Sequence, residues 1–168
     1  MARAHPDRLV VGMDPAWQRM IGSATRAQRK PDKGGAPNAL FVCASIEAPP
    51  EELLGLADEV YVNLPWGRLL TGVVLGEPDV CAGLRALARP RARLRVVVGT
   101  DIWRPPVPRE IRGLPELTAR YVDETLAARL AEHGWKVTDF RAPDPGEVPT
   151  SWARRLTSPL VALHAEAV

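Results

Sequence analysis

The stretch Val60-Tyr61-Val62-Asn63-Leu64-Pro65-Trp66-Gly67 joins an apolar run to a polar turn, and the apolar pair Leu69-Leu70 follows it. The run predicts a buried strand, so the amide, the proline and the indole lie at the carboxyl end of that strand. Ligands of parallel sheets bind outside the carboxyl ends of the strands. The stretch therefore predicts a place to hold a flat polar ring. The structural alternative is a turn whose tryptophan packs on the domain.

Runs with the periodicity of strands alternate with runs of helical spacing along the rest of the chain. Strands are predicted at 8–14, 39–44, 59–63, 94–98, 135–140 and 160–163, the last of them as an edge strand. Helices are predicted at 16–28, 78–89 and 118–133, with a short one after Pro49-Pro50. The last two strands are joined without a helix. This order predicts one α/β domain over residues 1–168, Rossmann-like, with a mostly parallel sheet and an antiparallel C-terminal strand.

Composition narrows the class of protein. The chain is 46% hydrophobic and 25% charged, with no apolar stretch of about eighteen residues and no signal peptide, so a globular cytoplasmic protein is expected. Cys43 and Cys81 lack metal-site spacing and are expected to be buried, reduced thiols. The three histidines form no pattern of a triad or a zinc site. No metal site is predicted, and hydrolysis by a nucleophile or a metal is disfavoured.

Two polar features are candidate ligand contacts, and each has a structural alternative. Asp14 follows the first predicted strand, where an acid can accept hydrogen bonds from ribose hydroxyls, although it can instead cap the next helix. Net charge is only +2, but the segment 19–33 is locally basic around a single acid, Asp32. This segment is either a phosphate-binding patch or a solvated helix face.

Five blocks of residues resemble one family in their order and spacing. They are Gly12-x-Asp14-Pro15, Lys33-Gly-Gly with Asn38-x-x-Phe41-Val42, Pro65-Trp66-Gly67-x-Leu69-Leu70, Arg112-Gly-Leu-Pro115 and Trp152-Ala-x-Arg155-Leu156. The family is that of the aminoglycoside-resistance methyltransferases of Kam/Npm type, which modify adenine N1 in the decoding site of 16S rRNA, and the likeness covers nearly the whole chain. It implies a class I methyltransferase fold with S-adenosylmethionine as methyl donor. It also implies 16S rRNA in the 30S subunit as partner, a monomer, and no membrane.

The resemblance also assigns roles to residues. Trp66 and Trp152 match the two tryptophans that sandwich the flipped adenine, and Thr150 or Ser151 would position that base. The donor would lie among residues that follow three strands, with Asp14 at its ribose: Asp14, Ala44, Ser45, Ile46, Asn63, Leu64 and Pro65. Phosphates of the RNA would be held by six basic residues: Arg26, Arg29, Lys30, Lys33, Arg154 and Arg155.

Both ends of the chain depart from the pattern of the family. The first strand and the glycine-rich donor loop are expected before Met1, so an N-terminally truncated form is predicted, through a late start or a fragment. Otherwise the second strand of the family must pair directly with the fourth. After Leu156 the further arginines of the family are missing. Two other functions therefore stay open: an inactive homologue that binds RNA or a partner, and a methyltransferase for a small molecule.

Overall fold

The computed structural model describes residues 1–144, 147 and 159–168, and they form two compact units, Met1–Ala48 and Pro49–Val168. The single domain over 1–168 stays a prediction. Within these residues, no helix is both long and apolar enough to cross a membrane.

The first unit is a small parallel sheet with one main helix. Its elements are β1 (Val10–Met13), α1 (Trp17–Ala27), β2 (Ala39–Val42) and the 3-10 turns Ala2–Ala4 and Pro31–Lys33. β1 and β2 are parallel, and α1 packs on β2. The Asn38 amide donates hydrogen bonds to the carbonyls of Ala2, His5 and Arg8 at 2.7–3.0 Å, which attaches the N-terminal segment to the start of β2.

The second unit is a four-stranded sheet with helices. Its strands are β3 (Ala57–Asn63), β4 (Ala88–Gly99), β5 (Trp135–Arg141) and β6 (Leu160–Ala167). Its helices are α2 (Gly67–Leu75), α3 (Pro78–Leu87), α4 (Arg109–Arg112), α5 (Ala119–Tyr121) and α6 (Ala127–Ala131), with a π-helical segment, Val122–Leu126, joining the last two. Two 3-10 turns lie at Glu51–Leu53 and Thr100–Trp103.

The strand order in this sheet is β3-β4-β6-β5. β3 and β4 are parallel, and β6 is antiparallel to both β4 and β5. β3, β4 and β5 thus run in one direction and β6 in the other, which confirms the predicted α/β class, the mostly parallel sheet and the antiparallel C-terminal strand.

One face of the four-stranded sheet forms the core. Val62, Val96 and Leu163 are buried on it, and Trp135 at the start of β5 is fully buried. The indole Nε1 of Trp135 donates a hydrogen bond to the Cys81 carbonyl in α3 at 3.3 Å, which joins the helical layer to the sheet. Burial of this apolar face is the main stabilising contribution in the second unit.

Three predictions of secondary structure were wrong in detail. β6 is an internal strand and continues to Ala167, because it pairs with β4 on one side and with β5 on the other beyond the predicted end at residue 163. Helix α2 was not predicted, although the apolar spacing of Leu70, Val73 and Val74 indicates it. Strand β4 begins at Ala88 instead of 94, and its first half is irregular at Arg91, where φ is 63°.

The cysteines differ from each other. Cys81 is buried, as predicted, but Cys43 is exposed because it lies just beyond the end of the short strand β2. Both are free thiols.

Candidate active site

A strained turn follows β3. The Leu64 N–H donates to the Val97 carbonyl at 2.8 Å, which extends the β3–β4 ladder by one bond. Leu64 then has a φ of 50°, in the left-handed region that costs a residue with a side chain about 1–2 kcal/mol. Packing of the Leu64 side chain against Val97 and Ala162 holds this conformation. Strain of this kind is found at ligand sites more often than elsewhere.

The turn ends by presenting an indole to solvent. Pro65 is buried, and Gly67 has a φ of 58°, so the chain reverses sharply into α2. Trp66 is the residue before α2, and it stays 51% exposed. The alternative that Trp66 packs into the domain is therefore not what the structure shows. An exposed indole beside a rigid turn can stack on a flat ring.

Asn63 supplies an unused acceptor beside this turn. Its Oδ1 atom is buried without a hydrogen-bond partner among the described residues. A buried acceptor without a donor costs about 1–3 kcal/mol, so a ligand that brings an N–H group is favoured at this atom. The ammonium group of S-adenosylmethionine is such a donor, and the end of β3 fits it in that respect.

In the first unit, Asp14 and residues 44–46 lie at the same edge of the two-stranded sheet. Met13 pairs with Val42 in the last position of the ladder, and the Asp14 N–H donates to the Val42 carbonyl at 3.3 Å. Residues 44–46 follow directly and are half-buried. The structure therefore brings together four predicted donor contacts: Asp14, Ala44, Ser45 and Ile46.

The Asp14 side chain does not cap α1, whose N-cap is Ala16, but it makes a hydrogen bond just before that helix. Its Oδ1 accepts a hydrogen bond from the Ala16 N–H at 2.7 Å, just before α1 begins. This bond fixes the carboxylate beside the end of β1. A carboxylate has two oxygens and can accept up to four hydrogen bonds, so ribose binding is compatible with this contact.

The basic residues of the first unit are exposed at the end of α1 and in the turn after it. They are Arg26, Arg29, Lys30 and Lys33. Two glycines shape this turn: Gly34 has a φ of 84°, and the Gly35 N–H donates to the Lys30 carbonyl at 3.0 Å. A Cβ on Gly35 would collide with the Arg29 carbonyl. The grouping of these cations is thus set by the backbone, and their role on RNA stays a prediction.

The remaining predicted site residues lie outside the described residues. They are Thr150, Ser151, Trp152, Arg154 and Arg155.

A charged cluster on the second sheet was missed by sequence reasoning. It lies on the face opposite the core, where Tyr61, Arg95 and His164 are cross-strand neighbours, and Glu147 contacts Arg95. The Arg95 guanidinium lies 5.3 Å from the centre of the Tyr61 ring. Arg95 contacts both Tyr61 and Glu147 in the fold but is far from both in sequence. No local sequence pattern therefore reveals the cluster. The only sequence signal was an arginine at every second position from 89 to 95.

The cluster perturbs its titratable groups. Hydrogen bonds from Arg141 lower the pKa of Glu147 to about 2. Burial, followed by the charge of Arg95, lowers the pKa of His164. Burial, together with a hydrogen bond to Glu59, raises the pKa of Tyr61. At neutral pH the cluster therefore holds an ionised Glu147 and a neutral His164.

The parallel strands, the antiparallel last strand and the polar turns at the strand ends define a Rossmann-like, class I methyltransferase fold. Comparison with known proteins is consistent with that class. The family described as NpmA, 16S rRNA (adenine(1408)-N(1))-methyltransferase, matches residues 1–165. The chain therefore belongs to the family of 16S rRNA (adenine(1408)-N(1))-methyltransferases.

Individual relatives agree with this assignment. The chain is 44% identical over 161 residues to the 16S rRNA (adenine(1408)-N(1))-methyltransferase of Streptoalloteichus hindustanus, covering 94% of this chain and 74% of the relative. A tryptophan-to-alanine mutant of the enzyme from Catenulisporales acidiphilia, solved with the cosubstrate SAM, is 54% identical with a TM-score of 0.87, covering 99% of this chain and 77% of that one. The aminoglycoside resistance methyltransferase NpmB1 is 34% identical with a TM-score of 0.80, covering 99% and 79%.

Proposed function

We propose that this chain transfers the methyl group of S-adenosylmethionine to N1 of adenine 1408 in 16S rRNA and so confers aminoglycoside resistance. Family membership supports the reaction, and a relative binds the same donor. The structural observation that carries the proposal is the turn after β3, which combines an unused buried acceptor with a half-exposed indole. The chain would act as a monomer on the 30S subunit in the cytoplasm, without a metal ion.

The donor supplies a methyl group that is already electrophilic, because it is bound to a sulfonium. The residues of the chain then have to bind and align. Asn63 would accept a hydrogen bond from the ammonium of the donor, and the backbone of Leu64 and Pro65 would lie beside its methionine part. Asp14 would accept hydrogen bonds from the ribose, while residues 44–46 border the adenine of the donor.

Alignment of the target base is the second task. Adenine N1 has an in-plane lone pair, so attack needs no strong general base, and catalysis rests on proximity and orientation. Trp66 and Trp152 would stack on the two faces of the flipped base, each contributing about 1–3 kcal/mol. The methylated ring is cationic, so facing indoles also attract the developing charge. A hydroxyl of Thr150 or Ser151 would fix the rotation of the base.

The basic residues would place the enzyme on the ribosome. Cations bound to phosphates provide affinity and orientation but little sequence information. Recognition would therefore depend on the folded shape of the RNA, which presents the base within the assembled subunit. The residues proposed for this role are Arg26, Arg29, Lys30, Lys33, Arg154 and Arg155.

Alanine substitution of the two stacking residues tests the proposal. Methyl transfer from labelled S-adenosylmethionine to 30S subunits should fall roughly 5- to 150-fold in Trp66→Ala and in Trp152→Ala, as expected from the loss of one stacking contact. Trp66→Phe should retain more activity than Trp66→Ala. Trp17→Ala is the matched control, because Trp17 is also half-exposed, at 55%, but lies on α1. Normal turnover in either stacking variant would contradict the assigned roles.

The same methylation assay distinguishes the proposed function from the two alternative functions. An inactive homologue would bind 30S subunits, as measured by sedimentation, but would transfer no methyl group to them. A small-molecule methyltransferase would bind the donor and leave the subunits unmodified. Methylation of intact 30S subunits by the wild-type chain contradicts both.

A further inference from the structure

The N-terminal 3-10 turn of the first unit, Ala2–Ala4, carries an exposed arginine, Arg3. The Asn38 amide donates hydrogen bonds to the Ala2 and His5 carbonyls at 3.0 and 2.9 Å, and so attaches this turn to the start of β2. The two carbonyls lie on either side of Arg3 in the sequence. The backbone at Arg3 is therefore held in place, while its side chain is accessible to solvent.

The Arg3 side chain lies beside the basic turn, which we define as residues 29–35. Arg3 Nη1 is 3.6 Å from the point that a Cβ on Gly34 would occupy, so the guanidinium lies next to Gly34. Lys33 directly precedes Gly34 and is exposed. Arg3 thus adds a cation, from about thirty residues away in sequence, to the surface formed by the basic turn.

The cations on this surface are not neutralised by acids of the protein. Among the described residues, no ion pair involves any of the following five: Arg3, Arg26, Arg29, Lys30 and Lys33. Arginines of the second unit differ, because many of them are paired with acids: Arg68, Arg89, Arg93, Arg95, Arg120 and Arg141. The surface around the basic turn therefore keeps its positive charge, which favours an anionic partner.

Phosphates of RNA are anions that such a surface can bind. A guanidinium can donate two parallel hydrogen bonds to one phosphate, whereas an ammonium acts as a point charge. Because Asn38 already holds the backbone at Arg3, less conformational freedom has to be lost on binding. We propose that Arg3 is a further phosphate contact with 16S rRNA, acting together with the basic turn. This inference rests on the proposed function for the identity of the RNA.

The salt dependence of 30S binding tests this role. The affinity of the full chain for 30S subunits is measured at a series of KCl concentrations, and the logarithm of the binding constant is plotted against that of the salt concentration. A lost phosphate contact lowers the steepness of this plot by about one, so Arg3→Ala should show that change. Its affinity at low salt should fall roughly 2- to 5-fold, as expected for one exposed charge contact.

Two further variants act as controls. Arg3→Lys should keep the salt dependence of the wild type, since an ammonium also neutralises one phosphate. Arg120→Ala should change neither the salt dependence nor the affinity, because the exposed Arg120 is already paired with Glu124 at 3.0 Å.

Measurements on the free protein distinguish a phosphate contact from an indirect effect. Arg3→Ala should keep the melting temperature and the affinity for S-adenosylmethionine of the wild type, because the Arg3 side chain makes no hydrogen bond or ion pair among the described residues. An unchanged salt dependence in Arg3→Ala, or no binding of the wild-type chain to 30S subunits, would overturn the inference.

The inference and the proposed function can fail separately. If Arg3→Ala lowers the salt dependence but the wild-type chain methylates no 30S subunits, the phosphate contact is supported and the proposed function fails. If the wild-type chain methylates them and Arg3→Ala binds them with the salt dependence of the wild type, the proposed function stands and the phosphate contact is refuted.

Discussion

Asn63 provides the sharpest test of the donor site, because its unused acceptor should destabilise the ligand-free protein. The buried Oδ1 has no partner among the described residues, which costs about 1–3 kcal/mol. Asn63→Leu replaces the amide with an apolar group of nearly the same shape. The free energy of unfolding of the ligand-free chain should therefore rise by about 1–3 kcal/mol, or roughly 2–12 °C in melting temperature for a chain of this size.

The same substitution should weaken donor binding. A hydrogen bond to a charged group contributes about 1.5–3 kcal/mol, so the affinity for S-adenosylmethionine should fall roughly 10- to 150-fold. Thermal unfolding followed by circular dichroism and titration calorimetry measure the two effects on the same preparation. A gain in stability together with a loss of affinity is the expected pair of results.

Asn38→Leu is the matched control with the opposite expected sign. The Asn38 amide donates to three carbonyls, so its removal leaves acceptors unpaired and should lower the melting temperature. If Asn63→Leu were destabilising like Asn38→Leu, or if it bound the donor with unchanged affinity, the assignment of Asn63 as an unused acceptor for the donor would be refuted.

Three further predictions concern the fold. Gly72→Ala should lower the melting temperature, because the added Cβ would lie 2.7 Å from the Cβ of Val80. Overpacking of this kind costs about 1–3 kcal/mol, which exceeds the gain of about 1 kcal/mol in helix propensity. Gly22→Ala, which has open space around the added Cβ, should raise the melting temperature. Folding lowers the pKa of His164 below its ordinary value of 6.5, so the unfolded chain binds more protons than the folded chain as pH falls below 6.5. The wild type therefore loses stability over this range, and its urea midpoint should fall more between about pH 6.5 and 5 than that of His164→Gln. Burial raises the pKa of the Cys81 thiol to about 11, so a maleimide at pH 7 should label one thiol per native chain and two after unfolding.

The sequence alone was sufficient to predict those structural features whose signal lies in adjacent residues. Apolar runs in the sequence predicted each of the six strands found among residues 1–144, 147 and 159–168, because the pattern of side-chain burial is visible in adjacent residues. The polar turn after β3 was located in the same way, since Asn63 and Trp66 follow directly on a buried run. The family resemblance then supplied the reaction, which no periodicity contains.

Features that depend on distant pairing were not predictable. The internal place of β6 depends on its pairing with β4 and β5, which the apolar run 160–163 does not reveal. The left-handed conformation of Leu64 is held by packing against Val97, which the preferences of single residues do not show. The hydrogen bond from Arg95 to the Glu147 carbonyl was not predictable for the same reason, because it joins residues 52 positions apart.

Reverse transcription of 16S rRNA from treated 30S subunits tests the central claim most directly. The purified chain is incubated with 30S subunits and S-adenosylmethionine, and the extracted RNA is copied through the decoding site. A methyl group on N1 blocks the pairing edge of adenine, so a halt at adenine 1408 that requires both chain and donor is predicted. Copying through this adenine without a halt, in subunits incubated with a folded chain that binds the donor, would contradict the account.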